Sequence, residues 1–218
     1  MKKEIEKNET VEIVFILDRS GSMAGLEGDT IGGFNSMIER QKKQGAHAIV
    51  STVLFDTART VLHDRAPLES VAPMTEKDYC VGGCTALYDA VGYAVNNISA
   101  AHRYARKEDV PDRTMFIITT DGMENASREF DRGGVKRLIE KKQKEGWEFI
   151  FLAANIDAAG AAEEVGISRE RAVKYTADGT GTEKVFRAMS KAIDAVRLSR
   201  PLKREWREEL DEDLKRRG

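Results

Sequence analysis

The apolar positions of the chain follow two alternating rhythms. Residues 11–17 (Val-Glu-Ile-Val-Phe-Ile-Leu) are almost continuously apolar and β-branched, which predicts a strand covered on both faces. Residues 114–120 and 147–154 read the same way. Between these runs the spacing becomes helical. Ile31, Phe34 and Ile38 form one stripe, with Gly45 as its stop; Leu87, Val91, Ala94, Val95 and Ile98 form a second. Val135, Leu138 and Ile139 make a shorter third that ends near Gly146, and Val185, Met189, Ile193 and Val196 make a fourth, stopped by Pro201. Residues 48–55 and 60–62 are strand-like and separated only by residues 56–59, which is hairpin spacing and predicts one antiparallel strand at a sheet edge. Residues 172–175 fit a short last strand. Strands alternating with helices predict an α/β fold: a three-layer, doubly wound, mainly parallel sheet with one antiparallel edge strand.

Length and charge narrow the classes. A chain of 218 residues suits one domain, expected over residues 10–198, with an N-terminal arm at 1–9 and a charged C-terminal helix or tail at 199–218. That last segment carries twelve charges between positions 203 and 217, with Trp206, Leu210 and Leu214 spaced by four, so it predicts a charged helix docked along a thin apolar stripe. The 35 basic and 37 acidic residues nearly cancel, which argues against nucleic-acid or anionic-membrane partners. No apolar run approaches the roughly 18 residues of a spanning helix, and the first ten residues lack the apolar centre of a signal peptide. Two cysteines, Cys80 and Cys84, are too few for a disulfide framework and are expected as reduced thiols. These features together lead to an expected cytoplasmic location.

The candidate chemistry lies at the strand ends. In a doubly wound sheet ligands bind beyond the carboxyl ends of the strands, where strand order reverses. The first strand runs into Asp18-Arg19-Ser20-Gly21-Ser22, and the fourth into Thr119-Thr120-Asp121-Gly122. A third loop, Gly82-Gly83-Cys84-Thr85, opens the second helical stripe. Two carboxylates (Asp18, Asp121) and three hydroxyls (Ser20, Ser22, Thr85) form a set of hard oxygen donors. Such a set suits Mg²⁺, with Mn²⁺ or Ca²⁺ as substitutes, and does not suit Zn²⁺, which prefers Cys and His. The alternate spacing of Asp18, Ser20 and Ser22 lets one tight turn aim three side chains at a common centre.

Asp-x-Ser-x-Ser after the first strand, a Thr in a Gly-rich loop and an Asp after the fourth strand resemble the von Willebrand factor A (integrin I-like) domain and its metal-ion-dependent adhesion site. The resemblance spans roughly residues 10–197 and includes Gly83-Cys84-Thr85-Ala86-Leu87-Tyr88-Asp89-Ala90 as the second metal loop with its helix. It implies metal ligation by Ser20 and Ser22, by Thr85 directly or through water, and by Asp18 and Asp121 directly or through waters. It further implies a protein partner that presents an Asp or Glu to an open coordination position. Arg19 stands where many members carry a smaller or apolar residue and is expected to add positive charge at the rim.

Other readings of the same residues stand beside this one. Asp18, Ser20 and Ser22 could cap the first helix, and Thr85 the second. Glu124 and Asn125 are expected to shape their loop, and Asp89 to pair with its own helix N-terminus. His47, His63 and His102 share no motif and read as structural or surface residues; Met23 is expected to pack beside the metal loop and Trp147 in the core. No nucleophile with an adjacent base, phosphate loop or dinucleotide fingerprint is present, so the chain is expected not to be an enzyme. Two alternatives remain: a Mg²⁺-dependent phosphohydrolase using Asp18, and a metal-independent interaction module. The first lacks the second Asp two residues on, a position held here by Ser20.

Overall fold

The computed structural model describes residues 10–45 and 47–217, so the expected arm at 1–9 lies outside the described residues. Six strands, β1 (Val11–Asp18), β2 (Ala48–Phe55), β3 (Arg59–Pro67), β4 (Arg113–Thr120), β5 (Glu148–Ala154) and β6 (Ala172–Tyr175), form one sheet in the order β3-β2-β1-β4-β5-β6. Every pairing is parallel except that of β3 with β2. Five helices cover its two faces: α1 (Glu27–Lys43) and α5 (Gly179–Arg197) on one, α2 (Leu87–Tyr104), α3 (Arg132–Lys144) and α4 (Ala158–Glu164) on the other. A sixth, α6 (Glu208–Arg217), packs against α5 and β6. This is the three-layer α/β sandwich that the alternating rhythms predict.

The central strand explains the pattern. All eight residues of β1 are buried, with Ile13, Phe15 and Leu17 facing α1 and α5 while Val14 and Ile16 face α2. Phe15 meets Phe34 edge-on with ring centroids 5.4 Å apart, and on the opposite face Phe116 stacks between Phe149 and Trp147. The helical stripes bury as their spacing requires, although Ile31 is only half-buried and Met37 takes its share of the α1 contact. Gly45 and Gly146 end α1 and α3 with φ of 64° and 90°, conformations that side-chain-bearing residues rarely adopt.

Three boundaries differ from the sequence pattern. β3 extends to Pro67 rather than stopping at residue 62, because an edge strand with one wet face alternates polar and apolar residues and shows no apolar run. Its register against β2 is irregular around Thr52. α4 has no counterpart in the apolar pattern because its buried positions, Ala158 and Ala162, are small. α5 ends at Arg197, ahead of Pro201, where Ser199 turns the chain at a φ of 49°.

Residues 199–217 are continuous with the main core. Trp206 is 4% exposed and Leu210 1%, both within the cluster under α1 and α5, and Leu214 is half-buried. Ion pairs fasten the helix along its length: Glu209 with Lys191 (2.6 Å) and Arg187 (3.4 Å), Asp213 with Lys184, and Arg217 with Asp178. The Arg207 guanidinium donates to the carbonyl of Ala172 at the start of β6 (2.7 Å).

At the end of β1 opposite the crest, Glu12 is fully buried and bonds Arg65 (2.6 Å) and His102. Removing its carboxylate strands two donors that keep only partial access to water. Glu12→Ala is therefore expected to lower unfolding free energy by about 3 kcal/mol, the lower end of the range for broken buried pairs. Trp206→Ala should cost about 3–5 kcal/mol by the cavity it leaves. Urea unfolding checks both, and a midpoint for Trp206→Ala equal to that of the parent chain would mean that the helix contributes nothing to the core.

Candidate functional site

Strand order reverses between β1 and β4, so the loops leaving these two neighbours open side by side at the crest. Asp18, the last residue of β1, is 1% exposed. Its Oδ1 accepts the Ser20 backbone N–H (2.7 Å), and its Oδ2 accepts the Thr120 hydroxyl from the end of β4 (2.6 Å). One carboxylate thus fixes the β1 loop and joins it to β4. Beyond it, the Ser20 and Ser22 hydroxyls lie 3.2 Å apart, and Ser22 Oγ donates to Asp121 Oδ1 at 2.5 Å.

The third loop is bonded to the first through backbone. Gly82 N–H donates to the Arg19 carbonyl (2.9 Å), and Gly21 N–H to the Gly83 carbonyl (3.1 Å). Thr85 follows, 3% exposed, with its N–H on Asn125 Oδ1 (2.9 Å) and its carbonyl accepting from Asn125 N–H (3.0 Å). Gly122 packs under both outer hydroxyls: a Cβ there would lie 3.1 Å from Thr85 Oγ1 and 3.4 Å from Ser22 Oγ. The structure therefore brings Asp18, Ser20, Ser22, Thr85 and Asp121 to one point of the crest. None of the first three caps α1, which begins at Glu27 after a single turn of 3-10 helix at Gly21–Met23, and Met23 is buried beneath that turn.

The electrostatics of this cluster are unbalanced. Burial pushes the Asp18 and Asp121 carboxyls above the usual carboxylate range, although hydrogen bonds from Thr120 and Ser20 to Asp18, and from Ser22 to Asp121, oppose it. No ion pair with Lys, Arg or His relieves either carboxylate among the described residues. Asp121 Oδ2 is buried with no hydrogen-bond partner. An orphaned carboxylate oxygen costs free energy unless a cation or donor reaches it. The donors around it are oxygens, of the kind that suit a divalent cation, although among the described residues no group of three or more His, Cys, Asp and Glu is placed to hold a metal. Cys80 and Cys84 are both free and exposed.

Several supporting residues carry little sequence signal. Tyr79, buried in the core, donates its hydroxyl to the Asp18 carbonyl, and burial together with the nearby aspartates pushes its phenol upward. Arg19 is not a free charge at the rim. Its Nε pairs with Asp56 (2.9 Å) and its other nitrogens with Thr60 and the Asp78 carbonyl, because the β2–β3 hairpin turns an acid toward it. Asp89 sits in the first turn of α2 as expected, and its carboxylate also reaches across to the backbone N–H groups of Arg128, Glu129 and Phe130. Glu124 and Asn125 shape their loop as expected, with Glu124 accepting from Tyr88, Ala126 and Ser127. His63 is buried between Thr52 and the Ala72 carbonyl.

Among the described residues no helix is long and apolar enough to cross a membrane. No protein-family model matches the chain, and no curated protein matches it. Solved structures do. The von Willebrand factor domain of the type V pilus tip protein Mfa5 from Porphyromonas gingivalis superposes with a TM-score of 0.67 at 10% identity, over 87% of this chain and 97% of that one. A D319A mutant of the PilB minor pilin from Streptococcus sanguinis gives 0.62 at 14% identity, over 91% of this chain and 65% of the pilin. Proximal thread matrix protein 1 from the mussel byssus, solved with a zinc-occupied metal-ion-dependent adhesion motif, gives 0.57 at 14% identity over 85% of this chain. The chain spans only 46% of that matrix protein's length. At such identities the likeness is one of fold, and the chain has the fold of a von Willebrand factor A domain.

Proposed function

We propose that the chain is a protein-interaction module whose crest holds a divalent cation, Mg²⁺ first and Mn²⁺ or Ca²⁺ as substitutes. The observation that carries this reading is the buried, unpartnered Asp121 Oδ2 within a ring of hydroxyls that no basic side chain among the described residues neutralises. Ser20, Ser22 and Thr85 would hold the ion through hydroxyls, with Asp18 and Asp121 as the carboxylates. When bound, the ion supplies a Lewis-acidic position that attracts a carboxylate from an Asp or Glu of a partner protein. The chain's own part is to keep the donors fixed. Asp18 holds the β1 loop against β4, and Asn125 holds Thr85.

Support from the neighbours is coarser. They are a pilus tip protein, a minor pilin and a byssus matrix protein, and one holds zinc at its adhesion motif. The cytoplasmic location expected from the sequence draws nothing from them. A phosphohydrolase using Asp18 is the weaker reading, since the residue is 1% exposed and both its oxygens already accept hydrogen bonds, which keeps it from reaching a phosphorus and blunts it as a nucleophile. The metal-independent module has no specific observation in its favour.

Titration of chelator-treated protein with Mg²⁺ by calorimetry should show one site, lost in the Ser20→Ala/Ser22→Ala variant while its thermal melt persists. Retention of the site in that variant would refute the assignment. Gly122→Ala is expected to weaken the same site by roughly tenfold, the scale of second-shell changes, because its methyl crowds Thr85 and Ser22.

The pH dependence has a definite sign. Folded-state carboxyls raised above their unfolded values favour the metal-free fold at low pH, and that contribution is lost as pH rises through the raised values. A cation needs both groups ionised, so its affinity should fall on acidification and its binding should release protons. The Mg²⁺-induced rise in melting temperature is therefore expected to be larger at neutral than at acid pH. A rise independent of pH would contradict it.

A further inference from the structure

The loop between β4 and α3, residues 121–131, has no regular structure yet is held at three places. Glu124 accepts from the backbone of Tyr88, Ala126 and Ser127, Asn125 exchanges two bonds with Thr85, and Asp89 accepts from three successive N–H groups. Phe130 then seats against α2 at Gly92, where a Cβ would lie 2.5 Å from its ring. A loop so anchored loses little entropy on binding.

Two of its exposed side chains make no side-chain bond among the described residues. Met123, next to Gly122, is 73% exposed, although a rigid loop could as readily carry a polar residue there. Arg128 is exposed, and its guanidinium has no ion pair or hydrogen bond among the described residues; only its backbone is used. Arg128 borders a hollow of about 450 Å³ that also takes in Thr57, Ala58, Arg59, Ala86 and Ala126. Ala86 directly follows Thr85, so the hollow opens beside the crest. Arg59 lies over the Tyr93 ring (4.5 Å) and pairs with Glu129 (2.9 Å), whose side chain is 55% exposed. An exposed pair of this kind contributes little and is readily exchanged for another carboxylate. The remaining acid of the hollow, Asp89, is already occupied by backbone donors.

From these features we infer that the 121–131 loop and its hollow form a specificity surface for a protein segment with two acidic residues and one large apolar residue. One carboxylate goes to the crest, the second enters the hollow between Arg59 and Arg128, and the apolar side chain covers Met123. Methionine adapts its shape to varied apolar partners, and an arginine free of intramolecular bonds can offer a bidentate fork to a carboxylate. The inference rests on the proposed function for the first carboxylate only. Because Asn125 is bonded to Thr85, the loop and the crest are held in one register, which fixes the spacing between the two acids.

The test is selection of a random dodecapeptide display library on the immobilised full chain in Mg²⁺. Affinities of the enriched peptides are then measured with and without chelator on the parent, Arg128→Gln and Met123→Ser proteins, with Mg²⁺ heats recorded for each. The expected result is enrichment of peptides carrying an acidic pair and a large apolar residue, bound at least tenfold more weakly by each variant. Enrichment of peptides without an acidic pair, or no enrichment above the bare support, overturns the inference. So does Mg²⁺-dependent binding that ignores both substitutions, an outcome that leaves the metal reading standing. Binding to acidic-pair peptides that responds to both substitutions but not to chelator supports the surface and refutes the metal reading instead.

Discussion

Two carboxylates buried side by side, with no basic partner among the described residues, are the constraint around which the crest is built. Asp18 and Asp121 leave adjacent parallel strands at the point of strand reversal, and a domain that only needed stability would not hold them there uncompensated. Serine and threonine hydroxyls and backbone N–H groups surround them, which lowers the cost without cancelling the charge. The rest of the molecule keeps that arrangement in place. The sheet fixes β1 against β4, Tyr79 bonds the backbone of Asp18 from below, and α2 presents Thr85 with the loop that Asn125 and Glu124 fasten to it.

What could be read from the chain depended on the range of the signal. β1, β4 and β5 announce themselves because a strand buried on both faces must be apolar throughout, and four helices do so because one face of each must be. β3 announces only its first residues, since beyond Leu62 its pattern mixes inward His63 with outward Asp64. α4 is carried by alanines that burial cannot distinguish from a loop. The site residues were legible for a similar reason: Asp18, Ser20 and Ser22 are clustered in sequence, and Thr85 and Asp121 each follow a recognisable strand or open a recognisable helix.

The long-range contacts that support them were not legible. Thr120, Tyr79 and Asn125 act on residues 102, 61 and 40 positions away, and no local spacing encodes such a contact. Arg19 shows the same limit in reverse. Its charge was plain, but the partner that removes it from the rim, Asp56, comes from a hairpin whose turn toward the β1 loop exists only in three dimensions.

The two borders of the sheet have a bearing on how this molecule behaves among its copies. β3 is a twisted, irregular edge carrying Arg59, Asp64 and Arg65 and closed by Pro67. β6 is four residues long, shows Lys174 to solvent, and has its first carbonyl taken by Arg207. Neither border offers a straight row of open backbone groups to a neighbouring chain. Crowded at high local concentration, such molecules are guarded against fusing sheet to sheet, and contacts between copies fall to side chains.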